Sequence, residues 1–182
     1  MPVSSSLGKK EILEWIENEK QNIHRILDIG VGAGTYSTLL TKSNLRSNFE
    51  LIGIEVWEPY ITQFNLNSLY DKIYNQDARI IDWNILGKFD VIFAGDVLEH
   101  MTKLEAENLV TKTLEHATTT IISIPITYMP QDEYEGNPYE KHIKPDWSHE
   151  EVMNTWPLNI KKFFIGKKSN GTPRIGVYWL EK

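Results

Sequence analysis

The chain has 182 residues, 41% of them hydrophobic, no cysteine and a formal net charge of -6; that size and apolar content suit one domain, residues 1–182, with a full core. The acidic balance argues against a broad phosphate-binding face, because nucleic-acid affinity rests on clustered Lys and Arg, and the absence of cysteine excludes disulfides, thiolate nucleophiles and Cys-based zinc sites. No run is long and apolar enough to span a bilayer and the first ten residues lack a signal-peptide core, so a cytoplasmic protein is expected.

In chain order, residues 1–24 supply an N-terminal helix from about Leu7 to Asn22, with Ile12, Leu13, Trp15 and Ile16 on one side. Arg25 to Ile29 reads as a first strand, followed by a helix from Thr35 to Ser43. Glu50 to Glu55 is a second strand, with a helix from Pro59, a residue tolerated in a first turn. Lys72 to Tyr74 is a short third strand, and Phe89 to Ala94 has the continuous apolar character of a central fourth. Thr102-Lys103-Leu104-Glu105 fits a capping box ahead of a helix whose apolar stripe is Leu104, Leu109, Val110 and Leu114. Thr119 to Ile124 is the fifth strand.

Residues 127–147 are rich in Pro, Gly, Tyr and charge and show no periodicity; a loop of that length inside a compact domain is usually functional or disordered. Its tyrosines and prolines favour order. Ser148-His149-Glu150-Glu151 then opens a short helix to about Trp156. Strands from Ile160 to Ile165 and Arg174 to Leu180 flank an Asn170-Gly171 turn, a strong hairpin signal. The pairs Lys161-Lys162 and Lys167-Lys168 bracket one of those strands and read as its flanks. Alternating strands and helices predict an α/β, Rossmann-like fold: a seven-stranded, mostly parallel sheet with helices on both faces and an antiparallel C-terminal hairpin.

The chemistry concentrates in Ile26-Leu27-Asp28-Ile29-Gly30-Val31-Gly32-Ala33-Gly34-Thr35-Tyr36. This is a buried strand entering a glycine-rich turn and a helix, where bare backbone lets a ligand approach closely. Glu55 ends the next strand, at the distance where an acidic residue takes two ribose hydroxyls. The turn is G-x-G-x-G rather than the dinucleotide G-x-G-x-x-G, with Thr35 where a small residue belongs. Asp28 would repel a pyrophosphate but suits an ammonium, which S-adenosylmethionine carries.

The ordered set of Leu27 to Tyr36, Ile54-Glu55, Asp77-Ala78, and Phe89-Asp90-Val91-Ile92 through Asp96-Val97-Leu98-Glu99-His100 resembles the class I S-adenosylmethionine-dependent methyltransferases, close to the small-molecule enzymes called type 11. The resemblance spans residues 26–126. It implies that Asp28, Gly30, Gly32 and Gly34 hold the methionine end of S-adenosylmethionine, with Tyr36 opening the helix beside them. It further implies Glu55 on the ribose, Val56 and Trp57 near the adenine, Asp77 and Ala78 at the adenine edge, and Gly95 and Asp96 along the cofactor. The acceptor belongs beyond the carboxyl ends of the strands, between the end of the fourth strand and the 127–147 loop. There His142 is the first candidate general base and His100 the second.

Glu99, His100, Glu140, His142 and His149 are metal-capable types, but none has the close spacing of a preformed motif, and the sequence assigns no metal. The run from Gly136 to His142 followed by Trp147-Ser148 looks like loops of bacterial methyltransferases of glycan biosynthesis. The expected partner is therefore a small-molecule or glycan-like acceptor carrying a hydroxyl, with nucleic acid and membrane disfavoured. A shallow pocket would be completed by the loop or by a second copy in a homodimer. The alternatives are a non-catalytic S-adenosylmethionine-binding subunit, an NAD-dependent oxidoreductase, or other chemistry on the same cofactor.

Overall fold

The structure, a computed structural model, describes residues 5–182; residues 1–4 of the expected N-terminal segment lie outside the described residues. Seven strands form one sheet: β1 (Arg25–Ile29), β2 (Glu50–Ile54), β3 (Lys72–Tyr74), β4 (Phe89–Gly95), β5 (Ala117–Pro125), β6 (Ile160–Lys167) and β7 (Pro173–Leu180). Their order is β3-β2-β1-β4-β5-β7-β6. The first five run parallel, while β7 lies antiparallel between β5 and β6. The predicted hairpin therefore closes one edge. Its turn returns through Lys168 and Thr172, with Gly171 at φ +83°.

Alternation along the strands builds two cores, because successive strand side chains point to opposite faces. Ile26, Leu51, Val91, Phe93, Ile121 and Val177 pack with α1 (Lys9–Glu19) and α2 (Thr35–Lys42). Their chain neighbours Leu27, Ile52, Ile92, Ile122 and Tyr178 pack on the other face with α4 (Trp83–Leu86), α5 (Lys103–His116) and α6 (His149–Thr155). Both faces are covered, which is why the central strands read as unbroken apolar runs. The remaining helix, α3 (Glu58–Gln63), follows β2 and carries Pro59 in its first turn.

Local signals set most boundaries. Thr102 caps α5 with a complete capping box: its hydroxyl accepts from the Glu105 N–H, and the Glu105 carboxylate accepts from the Thr102 N–H. Ser148 accepts from the Glu151 N–H to start α6. The Glu151 carboxylate pairs with Lys103 and Lys144 and so ties α6 to α5 and the long loop.

Two expectations are corrected and one element is new. Leu104, placed in the apolar stripe of α5, is 66% exposed; as the second residue of the helix it precedes the turns that meet the sheet, and Ala106 takes the buried place. The N-terminal helix starts at Lys9 and gives way to a 3-10 turn at Lys20. The helix α4 was not foreseen, since four residues are too few for periodicity; Asp82 caps it by accepting from the Asn84 N–H, and Gly87 ends it.

Candidate cofactor and acceptor site

A cavity of about 550 Å³ opens at the carboxyl ends of the parallel strands. One side is built from the segments at and after the ends of β1 (Gly30 to Gly32), β2 (Glu55, Val56), β3 (Gln76 to Arg79) and β4 (Gly95 to Val97). The 127–147 loop covers its other side through Met129, Gln131, Asn137, Tyr139, Glu140 and His142. Among the expected residues, Gly30, Gly32, Glu55, Val56, Asp77, Ala78, Gly95, Asp96, His100 and His142 line this one space.

Asp28, Gly34, Tyr36 and Trp57 stand behind that lining. Asp28 is fully enclosed, and its carboxylate accepts from the Tyr70 hydroxyl at 2.6 Å. Burial pushes its pKa up to about 7 against the Tyr70 hydrogen bond and the nearby Lys9 charge. Gly34, at φ +74°, caps α2 where a Cβ would lie 2.7 Å from Leu69 Cδ1. The left-handed backbone is what favours glycine there, since a Cβ would meet only the movable end of the Leu69 side chain. Tyr36 stacks on Phe93 with ring centroids 4.3 Å apart and fills the space under Gly95, where a Cβ would lie 2.5 Å from the tyrosine oxygen. Trp57 packs at a tilt against Tyr139, with centroids 6.4 Å apart, so the tyrosine rather than the tryptophan reaches the cavity.

Glu55 is held by backbone. Its carboxylate accepts from the Gly32 N–H at 2.9 Å and the Trp57 N–H at 2.8 Å. Burial raises its pKa, and these two bonds oppose the rise. Each oxygen keeps a further lone pair for a ligand hydroxyl. For Asp77, burial would raise the pKa, but the Arg79 guanidinium gripping both oxygens wins and holds it below the usual range. Asp96 adopts φ +57°, a conformation Asp tolerates better than most residues. Its carboxylate accepts from the Ser5 N–H at 2.7 Å and from the Ser123 hydroxyl at 3.0 Å, which locks the turn after β4.

Lys9 is the functional candidate that sequence reasoning missed. It opens α1 yet is only 4% exposed, and its ammonium donates to the Tyr36 hydroxyl at 2.8 Å. Burial lowers its pKa, opposed by Asp96, Asp28 and Glu99. A lysine in the first turn of an amphipathic helix normally faces water; only the docking of α1 beneath the glycine turn makes it the counter-charge of three carboxylates. Tyr60 and Gln131 were also unforeseen. The Tyr60 hydroxyl donates to Glu140 Oε1 at 3.1 Å, and the Gln131 amide donates to the Glu140 carbonyl at 2.6 Å. Both fix the loop over the cavity.

At the acceptor end, His100 and His142 meet edge-on with centroids 4.8 Å apart. His100 Nδ1 lies 3.2 Å from the Lys141 carbonyl and His142 Nδ1 lies 2.5 Å from the Met129 carbonyl. A carbonyl only accepts, so both rings carry their proton on Nδ1 and keep a lone pair on Nε2. Burial holds both histidines below their ordinary pKa, which keeps them neutral at pH 7. Glu99 is 2% exposed, and burial drives its pKa well above the carboxylate range. The fold thus gathers three of the metal-capable residues: Glu99, His100 and His142 offer ligand atoms all within 4.8 Å of one another. Glu140 stays on Tyr60 and Gln131, and His149 turns away to Tyr178.

No family model matches the chain, and no curated protein matches it by sequence. Solved structures do. The N-terminal domain of EvdMO1 with S-adenosylhomocysteine bound superposes with a TM-score of 0.69 at 12% identity, over 98% of this chain and 82% of that one. An S-adenosylmethionine-dependent methyltransferase from Clostridium acetobutylicum gives 0.69 at 16% identity, over 95% and 90%. Magnesium protoporphyrin IX methyltransferase from Synechocystis, with S-adenosylmethionine bound, gives 0.65 at 14%, over 96% and 78%. The chain has the class I methyltransferase fold.

Proposed function

We propose that this protein transfers a methyl group from S-adenosylmethionine to a hydroxyl of a small polar or sugar-like acceptor. The observation that carries the reading is the convergence, in one cavity at the strand ends, of the bare Gly30–Gly32 backbone, the Glu55 carboxylate and the Asp77–Ala78 edge. Structures of the same fold hold S-adenosylhomocysteine or S-adenosylmethionine.

In this reading the amino-acid end of the cofactor lies against Gly30, Gly32 and the Gly95–Asp96 turn. The ribose hydroxyls donate to Glu55, and the adenine lies beside Val56 and Ala78 with its amino group on Asp77. Asp28 stands behind the turn, and in its ionised form attracts the ammonium through the backbone layer; a bound ammonium in turn favours that form over the protonated one. The cofactor supplies the electrophile, so the protein's work is to align an acceptor oxygen with the methyl group and exclude water. The cover formed by residues 127–147 does both. His142 and His100 line the cavity as neutral imidazoles whose Nε2 keeps its lone pair, the state a general base needs. A sugar-like acceptor fits the mix of hydrogen-bonding groups and the Tyr139 ring there; EvdMO1, of the same fold, was crystallised in the presence of S-adenosylhomocysteine and D-fucose.

Calorimetric titration with S-adenosylmethionine, S-adenosylhomocysteine and NAD tests the reading. Binding of the first two and not of NAD is expected; NAD alone, or no binding, rejects it. Glu55→Ala should weaken cofactor binding by roughly 1–3 kcal/mol, the cost of losing a charge-assisted partner. Undiminished affinity in that variant would remove Glu55 from the ribose. Turnover on a panel of hydroxylated small molecules then separates an enzyme from a binding subunit.

A further inference from the structure

We propose that Glu99, His100 and His142 bind one divalent first-row transition-metal ion of the zinc class at the acceptor end of the cavity. Metal binding itself does not depend on the methyl-transfer reading; the use of the ion to hold an acceptor oxygen does.

Three independent features support the site. The first is reach: the ligand atoms lie within 4.8 Å of one another, while ligands on a tetrahedral ion stand about 3.3 Å apart, from bonds of roughly 2.0–2.1 Å. Side-chain rotations that bring the atoms together by about 1.5 Å close the set. The second is orientation. Both rings are pinned through Nδ1 by backbone carbonyls, of Lys141 and Met129. This is the outer-shell arrangement that fixes tautomer and aim for a metal-binding Nε2. The two carbonyls belong to the cover loop, so the loop that closes the cavity also sets the ligands.

The third is Glu99. Among the described residues its Oε2 is buried without a hydrogen-bond partner. Buried polar atoms are nearly always satisfied, and an exception calls for an explanation such as an ion. Lys9 contributes charge nearby, but its ammonium donates to the Tyr36 hydroxyl and makes no hydrogen bond to Oε2. A cation between Glu99 and the two imidazoles answers this carboxylate directly. Two nitrogens and one carboxylate oxygen suit zinc, iron or nickel better than magnesium or calcium.

The arrangement is that of a working rather than a structural site. Three protein ligands leave at least one position open, and all three residues face the cavity. An open position on the cavity side would admit a hydroxyl oxygen of the proposed acceptor. In the loaded protein the two Nε2 lone pairs are then ligands, and the ion would instead lower the pKa of the coordinated hydroxyl, so that its proton passes to water as the oxygen takes the methyl group.

The test uses the full chain without an affinity tag, stripped with chelator, dialysed against Zn²⁺ and assayed for bound metal, with Zn²⁺ calorimetry in parallel. One ion per chain is expected. Loss of outer-shell partners alone weakens metal sites by about 10–100-fold, so Glu99→Gln and the His100→Ala/His142→Ala pair should weaken binding by at least that. S-Adenosylhomocysteine affinity of each variant reports separately on the cofactor half of the cavity, and circular dichroism reports on folding. Should a variant fail to fold, Co²⁺ added to the wild-type chain decides: visible bands of a nitrogen-ligated, low-coordinate ion are expected. No stoichiometric ion in the wild type, an octahedral all-oxygen Co²⁺ spectrum, or affinity unchanged in folded variants overturns the proposal.

Discussion

Asp28 shows how a single side chain acquires its chemistry from its surroundings. Its place before the glycine turn is visible in the sequence, but its enclosure by Tyr70 and its pKa near 7 are not. The sign of the consequence follows from linkage. The folded-state pKa lies above the ordinary 3.8, so between those values the folded chain holds a proton that the unfolded chain has released. The contribution of Asp28 to stability is full below the lower value and is lost as pH rises through the upper one. Asp28→Asn removes this titration. Unfolding free energies from urea titrations at about pH 5 to pH 8 should fall less steeply in the variant, by up to ~1.4 kcal/mol per pH unit. Parallel wild-type and variant curves would show that Asp28 does not titrate there. Glu55 and Glu99, both raised by burial, tilt the wild-type curve the same way and remain in the variant.

At the scale of elements, the start of α5 separates a local signal from a tertiary one. The capping box at Thr102 and Glu105 satisfies N–H groups that no helical carbonyl can reach. Thr102→Ala should therefore cost about 0.5–2 kcal/mol. Leu104, two residues on and exposed, should change stability by less than about 0.5 kcal/mol when replaced by Ala. Chemical denaturation of both variants checks the pair; equal losses would place Leu104 in the core after all. The long loop is a different kind of element. It has no periodicity to read, yet its course is set by Met129 N–H on the Pro145 carbonyl, His142 N–H on the Gln131 carbonyl and Lys144 N–H on the Glu99 carbonyl. Trp147, 1% exposed and stacked near Trp156, ties its end to the core. Tyrosine and proline content favoured order in the sequence; which side chains the order delivers to the cavity depended on these bonds.

For the whole molecule, the cavity lies at the carboxyl edge of a parallel sheet, where the strand order departs from β1 towards β2 on one side and β4 on the other. A ligand there touches segments far apart in the chain, so its binding energy stabilises the entire fold. S-Adenosylhomocysteine at about 100 times its dissociation constant should add roughly 2.7 kcal/mol. For a chain of this length that raises the melting temperature by about 5–10 °C. Thermal unfolding with and without the ligand measures it, with NAD as the comparison; an equal rise with NAD, or none with either, counts against the cofactor assignment. No helix among the described residues is long and apolar enough to cross a membrane.

What the sequence by itself determined is what local physics controls: alternating elements, apolar central strands, glycines in the first turn, the Thr102 cap and the Asn170-Gly171 hairpin. These depend on backbone conformation and on neighbours within a few residues, so the seven-stranded fold and many residues that line the cavity were legible. Tertiary structure alone decided which side chains share a space. Lys9 meets Tyr36 across 27 positions and Tyr60 meets Glu140 across 80. His100 and His142, far apart in the chain, come edge to face beside Glu99. No spacing rule encodes such pairs, because the sheet and the loop's backbone hydrogen bonds bring them together only after folding, and burial then sets their charge.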